Sequence, residues 1–171
     1  MSSEENLLPL LISTDQLEAA LGEKNLLIID VSCTKECYDQ GHVPGAVFLD
    51  YKRLFCGEAP VANKLPSVEQ LSQLFSELGL TRDSHVVAYD DEGGGWAGRL
   101  LWTLEVMGHN RYSYLNGGIL AWRGDSKHQS QEQTQLVASQ YEADILVPQV
   151  RIELDELQEK IGQTGFAIWD S

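Results

Sequence analysis

The end of this chain repeats the pattern of its beginning. Residues 152–171 align without a gap on residues 12–31, and each segment reads as a short amphipathic helix, a glycine, and an apolar strand that ends in aspartate. The identical pairs are Ile12 and Ile152, Asp15 and Asp155, Leu17 and Leu157, Gly22 and Gly162, Ile28 and Ile168, and Asp30 and Asp170. A repeat this widely separated is typical of a duplicated domain, whereas solenoid units recur about every 20–50 residues. Because the second copy stops after its first strand, we expect one whole domain followed by the opening of a sibling.

Length and charge exclude several classes of function. A chain of 171 residues has room for one domain with a sizeable core. Its formal net charge of −14 disfavours nucleic acid and anionic membranes, which attract clustered Lys and Arg. The start Met1-Ser-Ser-Glu-Glu lacks the basic residues of a secretory signal, and the apolar residues 7–12 are too few to span a membrane. The 3 cysteines do not suggest a disulfide framework, so we expect a cytoplasmic location.

Alternating strand and helix patterns predict an α/β fold, with a central parallel sheet and helices on both faces. Apolar runs predict strands at residues 26–30, 46–49, 85–89 and 112–115. Capping boxes begin helices at Ser13 and Ser67, and further helices are expected over residues 34–40, 97–107 and 119–122. Residues 123–141 lose this periodicity and are rich in Gln, Ser and Glu, which is typical of a linker.

The loop best suited to chemistry follows the predicted strand at residues 85–89. In parallel sheets, ligands meet the carboxyl ends of strands. The loop consists of Asp90, Asp91, Glu92, Gly93, Gly94, Gly95 and Trp96, with Gly98 and Arg99 just beyond. Such a loop can turn successive backbone N–H groups inward as an anion-binding nest. The plain alternative is a tight turn that needs glycine for backbone reasons.

The same loop also matches a dinucleotide-binding fingerprint, through the spacing Gly93-x-Gly95-x-x-Gly98. The carboxylates of Asp90, Asp91 and Glu92 stand where a pyrophosphate would arrive, and they repel it. We therefore disfavour nucleotide binding.

Several motifs together resemble the rhodanese family. They are Asp30 after an apolar strand, the run Tyr38-Asp-Gln-Gly-His42-Val-Pro-Gly45-Ala46, the Asp90–Arg99 loop, and Leu115-Asn116-Gly117-Gly118 followed by Trp122. The likeness is strongest to the N-terminal half of tandem-domain thiosulfate and 3-mercaptopyruvate sulfurtransferases. The resemblance implies a tail over residues 1–10, a rhodanese-like domain over 11–124, a linker over 125–149, and a truncated second domain over 150–171.

The resemblance also implies a chemistry that this loop lacks. In the family, a cysteine directly after the strand takes sulfane sulfur from an anionic donor, and its persulfide passes that sulfur to a thiophile. Here Asp90 or Asp91 occupies that position, which removes the nucleophile. Tandem members usually keep the cysteine in their second domain. We therefore expect a catalytically silent half of a sulfurtransferase.

The expected partners follow from this interpretation. They are the chain's own second domain and, for the full protein, a small sulfur donor and a thiophilic acceptor. The alternative is an inactive rhodanese-like module that binds or regulates another protein. We expect no cofactor and no metal in either case.

Residues outside the loop receive mainly structural roles. We expect His42 to brace its turn by hydrogen bonds, and Asp30 and Arg99 to form a buried ion pair. Gly45, Asn116, Gly117, Gly118 and Trp122 complete the structural positions of the motifs.

The other histidines and the cysteines are expected to have no part in catalysis. His85 and His109 are expected near the surface and His128 in the linker. Cys33, Cys37 and Cys56 lack a glycine cradle and are interpreted as non-catalytic. Trp96 is expected either to cover the adjacent helix or to anchor an interface with the second domain. Ser32 stands where the family often has an arginine.

Overall fold

The computed structural model describes residues 7–169, so Met1–Glu5 and the repeated Asp170 lie outside the described residues. Its centre is a five-stranded parallel sheet in the order β1-β5-β4-β2-β3. The strands are β1 (Leu11–Ile12), β2 (Leu26–Asp30), β3 (Val47–Phe48), β4 (His85–Tyr89) and β5 (Tyr112–Leu115). The helices are α1 (Thr14–Ala20), α2 (Lys35–Gln40), α3 (Val68–Glu77), α4 (Gly95–Val106), α5 (Gly118–Gly124) and α6 (Leu154–Lys160). The predicted α/β fold is therefore confirmed.

Helices cover both faces of the sheet. On one face, Ile29, Val86 and Ala88 pack with residues of α3 and α4. On the other, Ile28 and Val87 pack with residues of α1 and α5. Successive residues of β4 are therefore all buried, which explains why its sequence is continuously apolar from Val86 to Tyr89 rather than alternating.

The register of the two central strands places the candidate loop. Strands β2 and β4 pair from Leu26 opposite His85 to Asp30 opposite Tyr89. Asp30 and Asp90 thus emerge at neighbouring positions on the carboxyl edge of the sheet. This is the edge at which parallel α/β proteins bind ligands.

The local signals at helix starts are confirmed. The side chains of Ser13 and Ser67 each accept the N–H of the glutamine three residues on, and that glutamine's side chain accepts in return the N–H of the serine. Several elements differ from the prediction. The prediction contains no counterpart of β1, and β3 is shorter than residues 46–49. Helix α4 spans Gly95–Val106 rather than residues 97–107, α5 spans Gly118–Gly124 rather than 119–122, and α2 begins at Lys35 rather than Thr34.

Residues 128–147 form a strap that is bound to the surface of the domain, although their composition suggests a linker. Ser130 and His42 exchange two backbone hydrogen bonds of 3.0 and 2.9 Å. Further along, the Ser139 amide donates to the carbonyl of Ser76, and the Tyr141 ring packs edge-on against Phe75. Backbone hydrogen bonds and an aromatic contact therefore fasten this segment where apolar periodicity is missing.

The second copy of the repeat forms its helix, α6, but not its strand. No strand occurs at residues 166–169, the described part of the expected apolar strand. Ile168 and Trp169 are exposed, Trp169 by 92%, whereas their counterparts Ile28 and Ile29 are buried. A strand needs a neighbouring strand for its backbone hydrogen bonds, and the described residues offer none here. That part of the prediction is wrong for this chain.

Within residues 7–169, no helix combines the length and the apolar character needed to cross a bilayer.

Candidate functional site

The loop after β4 closes around the carboxylate of its first residue. Asp90 is buried, with 1% exposure. Its Oδ1 atom accepts the backbone N–H groups of Gly94 at 2.8 Å and of Glu92 at 3.1 Å, and its Oδ2 atom accepts that of Ala97 at 2.9 Å. The predicted nest of N–H groups therefore exists, and the chain's own anion occupies it.

Glycine and the helix terminus give the nest its shape. Gly94 has a φ of +100°, a left-handed conformation that side chains rarely adopt, and it precedes the first turn of α4. The first N–H groups of a helix have no partner within it and carry its positive dipole end. The Asp90 carboxylate satisfies one of them at Ala97 and lies where a negative charge is stabilised.

The Asn116-Gly117-Gly118 turn supports the loop from the neighbouring strand. The carbonyl of Asp90 accepts the N–H of Ile119 at 3.1 Å. A Cβ atom on Gly118, whose φ is +54°, would lie 2.2 Å from that carbonyl oxygen. Glycine is therefore required at position 118 for the start of α5 to reach the Asp90 backbone.

The next two residues add charge at the mouth of the loop. The Oδ1 atom of Asp91 accepts the backbone N–H of Cys33 at 2.9 Å, which ties the loop to the segment after β2. Glu92 is exposed. The Cys33 thiol is also exposed, and desolvation together with the carboxylates of Glu92 and Asp91 raises its pKa. The thiolate form of Cys33 is therefore disfavoured.

This arrangement of sheet, nest and glycine turns agrees with the comparison to known families. Residues 13–125 match the rhodanese-like domain. The chain belongs to this family. The match includes every motif that carried the resemblance in the sequence.

Relatives of this rhodanese-like chain are sulfurtransferases. The thiosulfate sulfurtransferase of Azotobacter vinelandii is 41% identical over 96% of this chain, and that of Pseudomonas aeruginosa is 39% identical over 96%. The chain spans 60% of the length of each. Among solved structures, the 3-mercaptopyruvate sulfotransferase SseA of Escherichia coli superposes with a TM-score of 0.81 at 25% identity, covering 90% of this chain and 62% of that one. The fold and the family are thus established together.

The expected ion pair between Asp30 and Arg99 is absent from the rhodanese-like domain, so that prediction is wrong. The Oδ1 atom of Asp30 accepts the N–H of Ser32 at 2.8 Å, and burial raises the pKa of the Asp30 carboxyl. Arg99 points elsewhere and donates to the carbonyls of Leu54 and Asn63. Carbonyl acceptors take the place of the carboxylate, because α4 directs Arg99 toward the segment after β3.

Arg99 also joins an aromatic cluster beside the loop. Its guanidinium lies 4.6 Å from the ring centroids of both Phe55 and Trp102. Trp96 belongs to the first turn of α4, is half-buried, and stacks on Tyr51 at 3.9 Å. Trp96 therefore packs against the segment after β3 of its own domain.

One histidine stabilises its turn by ring contacts, and two others are buried although the sequence analysis expects them near the surface. His42 is fully buried and its ring contacts two backbone carbonyls. His85 and His109 are buried too, contrary to the expectation of surface positions. For His85, burial in β4 is possible because its Nε2 atom bonds to the hydroxyl of Ser113 on the adjacent strand β5 at 2.8 Å. Burial lowers the pKa of His85 to about 4.

The remaining motif positions are structural. Trp122 is buried and donates its indole N–H to the carbonyl of His128 at 2.8 Å, and Gly45 has a φ of +79° in the turn before β3. Cys37 and Cys56 are half-buried free thiols outside the nest. No group of three or more potential metal ligands comes together within residues 7–169.

Proposed function

We propose that this chain is the non-catalytic N-terminal half of a sulfurtransferase, in which a second rhodanese unit moves sulfane sulfur through a cysteine persulfide. The observation that carries the proposal is the Asp90 carboxylate, held by three backbone N–H groups in the nest. In the family these groups face the sulfur-carrying cysteine. Here they hold the carboxylate of Asp90, which is covalently part of the loop itself.

The chemistry of a carboxylate makes this loop silent. Sulfane transfer needs a polarisable thiolate that attacks sulfur and forms an S–S bond. A carboxylate forms no stable bond to sulfane sulfur. Asp91 and Glu92 add negative charge at the entrance, which opposes the approach of an anionic donor by Coulomb repulsion. Sulfur transfer therefore requires a cysteine outside this loop.

The location proposed for that cysteine is a second rhodanese unit that begins near Ile152. The repeat of residues 12–31 in residues 152–171 supports this, as does the greater length of the relatives. The exposed apolar side chains at Ile168 and Trp169 support it as well, because their counterparts in the first copy are core residues. An inactive binding module would share the silent loop, but it would leave the repeat without a role.

The proposed donor is thiosulfate, since two relatives at 39% and 41% identity are thiosulfate sulfurtransferases. 3-Mercaptopyruvate is the second candidate, on the likeness to SseA. We also propose a cytoplasmic location, which agrees with the free thiols of Cys33, Cys37 and Cys56.

The test is cyanide-dependent release of thiocyanate from each donor. The 171-residue chain is expected to release none above the protein-free blank, while the Azotobacter vinelandii thiosulfate sulfurtransferase serves as the positive control. A longer form of this protein with a complete second unit is expected to be active. Turnover by the 171 residues alone, or an inactive longer form, would overturn the proposal.

A further inference from the structure

The ring of His42 is one of the points at which the strap is fastened to the rhodanese-like domain. The ring is fully buried and stacks on Tyr38 with 3.7 Å between centroids. Its Nδ1 atom lies 2.8 Å from the carbonyl oxygen of Tyr38, at the end of α2. Its Nε2 atom lies 3.1 Å from the carbonyl oxygen of Glu132, on the strap. The His42 backbone forms the two bonds to Ser130 already described.

Two carbonyl partners set a condition on the protonation of this ring. A carbonyl oxygen only accepts hydrogen bonds, so each ring nitrogen must carry a proton to bond with it. A neutral imidazole has one N–H and one lone pair, whereas an imidazolium has two N–H groups. Only the cation satisfies both contacts. In the neutral ring, one nitrogen lone pair faces a carbonyl oxygen, and that contact becomes repulsive.

We propose that His42 is a proton-dependent clasp, which holds residues 130–132 of the strap when its ring is charged and loosens them when the ring becomes neutral. The contact with Glu132 is the one that weakens, because it is longer than the contact with Tyr38 and only partly buried. The Tyr38 carbonyl, by contrast, lies only four residues before His42 in the chain, and its contact with the ring is buried.

The charged groups around the ring are compatible with a cation. Asp39 of α2 lies close enough for the charge of His42 to contribute to a lowered pKa of its carboxyl, behind the larger effect of its bond to Lys35. On α5, the positive charge of Arg123 disfavours the cation, although its guanidinium donates a hydrogen bond to the carbonyl of Gly41 at 2.9 Å. On the strap, the side chain of Glu132 adds a negative charge. The face of the Tyr38 ring favours a cation stacked upon it, although the ammonium of Lys35 on α2 lies 5.6 Å from the same ring centroid and opposes a second positive charge there.

Loosening would act on the first part of the strap. The later part is held separately, by the Ser139 amide on the carbonyl of Ser76 and by Val106 of α4, which accepts the N–H groups of Leu146 and Val147. A clasp at His42 therefore regulates how firmly residues 130–132 lie on the first domain. The inference concerns only the described residues and stands whether or not the proposed sulfur transfer is correct.

Nitrogen-15 NMR of the labelled chain tests the clasp directly. The ring-nitrogen shifts report whether Nδ1 and Nε2 both carry a proton, and the amide signals of Ser130 and Glu132 are expected to shift together with them as the pH is varied. Hydrogen-exchange protection of the Ser130 amide, corrected for its intrinsic rate, is expected to be about tenfold lower for the neutral ring than for the charged ring, as for the loss of one hydrogen bond.

Two variants separate the clasp from general pH effects. His42→Gln keeps a donor near the Nε2 position but does not titrate, so the strap signals are expected to become independent of pH. His128→Gln is the matched control, because His128 is an exposed histidine of the same strap; it is expected to leave the titration unchanged. A His42 ring whose two nitrogens keep one protonation state at every pH at which the chain is folded would overturn the inference. Strap signals that do not follow the ring would overturn it too, and both readouts need only the unmodified chain.

Discussion

The Oδ2 atom of Asp90 accepts the backbone N–H of Ala97 at 2.9 Å, so the side chain of the first residue after β4 caps the first turn of α4. The carboxylate that we propose as the reason for a silent loop is therefore also a structural anchor of that loop.

Asp90→Ala is expected to lower the free energy of unfolding by about 3 kcal/mol, because it leaves buried N–H groups without the charged acceptor they now share. Urea denaturation followed by circular dichroism measures the change. Glu92→Gln is the control, since this exposed neighbour in the same loop is expected to change stability by less than about 0.5 kcal/mol. Equal effects of the two substitutions would mean that the carboxylate of Asp90 does not hold the loop.

Gly118→Ala is expected to be among the most damaging single-methyl changes in the chain. Its Cβ would lie 2.2 Å from the Asp90 carbonyl, at a φ of +54°. We expect a loss of more than about 2 kcal/mol in unfolding free energy or an insoluble product. Gly98→Ala is the matched change within α4, where an added Cβ meets nothing within 4 Å. It is expected to stabilise the chain by about 0.5–1 kcal/mol, because alanine is the better helix former. The reverse order of melting temperatures would refute this account of the turn.

Asp30 and Arg99 are expected to be energetically independent. A double-mutant cycle with Asp30→Asn and Arg99→Gln is expected to give a coupling energy below about 0.5 kcal/mol, as for residues that share no partner. Each single substitution still has its own effect, since Arg99 binds two carbonyls and Asp30 binds Ser32. A coupling energy of several kcal/mol would contradict this prediction and support the ion pair that the sequence motifs suggest.

His85 is expected to make the protein less stable in acid. Burial, with contributions from Arg111 and His109, lowers its pKa to about 4, while an unfolded histidine titrates near its ordinary value of 6.5. Between these pH values the unfolded chain binds the extra proton, so stability is lost as the pH falls from 6.5 toward about 4 and levels off below it. The loss attributable to His85 reaches up to about 3 kcal/mol, at about 1.4 kcal/mol for each pH unit of the shift.

The matched comparison is His85→Gln, which retains a donor toward the Ser113 hydroxyl but does not titrate in this range. The stability advantage of the unmodified chain over this variant is expected to shrink as the pH falls. Chemical denaturation at several pH values measures the difference and cancels the titration of the carboxylates common to both proteins. A difference that stays constant with pH would contradict a neutral, buried His85.

Local signals carry most of the fold in this sequence. Capping boxes at Ser13 and Ser67 locate two helix starts because they depend on residues three apart, and the continuous apolar run of β4 reflects burial on both faces. The nest around Asp90 follows from glycines and a helix start that are contiguous in the chain. Sequence reasoning therefore finds the loop, although it does not find that the aspartate folds back into it.

The predictions that fail concern contacts between residues that are far apart in the sequence. The direction of Arg99 depends on carbonyls in the segment after β3, and the burial of His85 depends on Ser113 of another strand. The strap has no apolar period because polar contacts such as that of His42 with Glu132 hold it, so its composition resembles that of a free linker. The sequence does not indicate which carbonyl group a serine or glutamine of a connecting segment will bond to.

The glycine-rich nest of this chain holds a carboxylate, and we therefore propose that it carries no sulfur. Intact-mass spectrometry of the 171-residue chain after incubation with thiosulfate decides whether it does. We expect an unchanged mass and no persulfide on Cys33, Cys37 or Cys56. A mass increase of one sulfur atom, removed again by cyanide with release of thiocyanate, would contradict it.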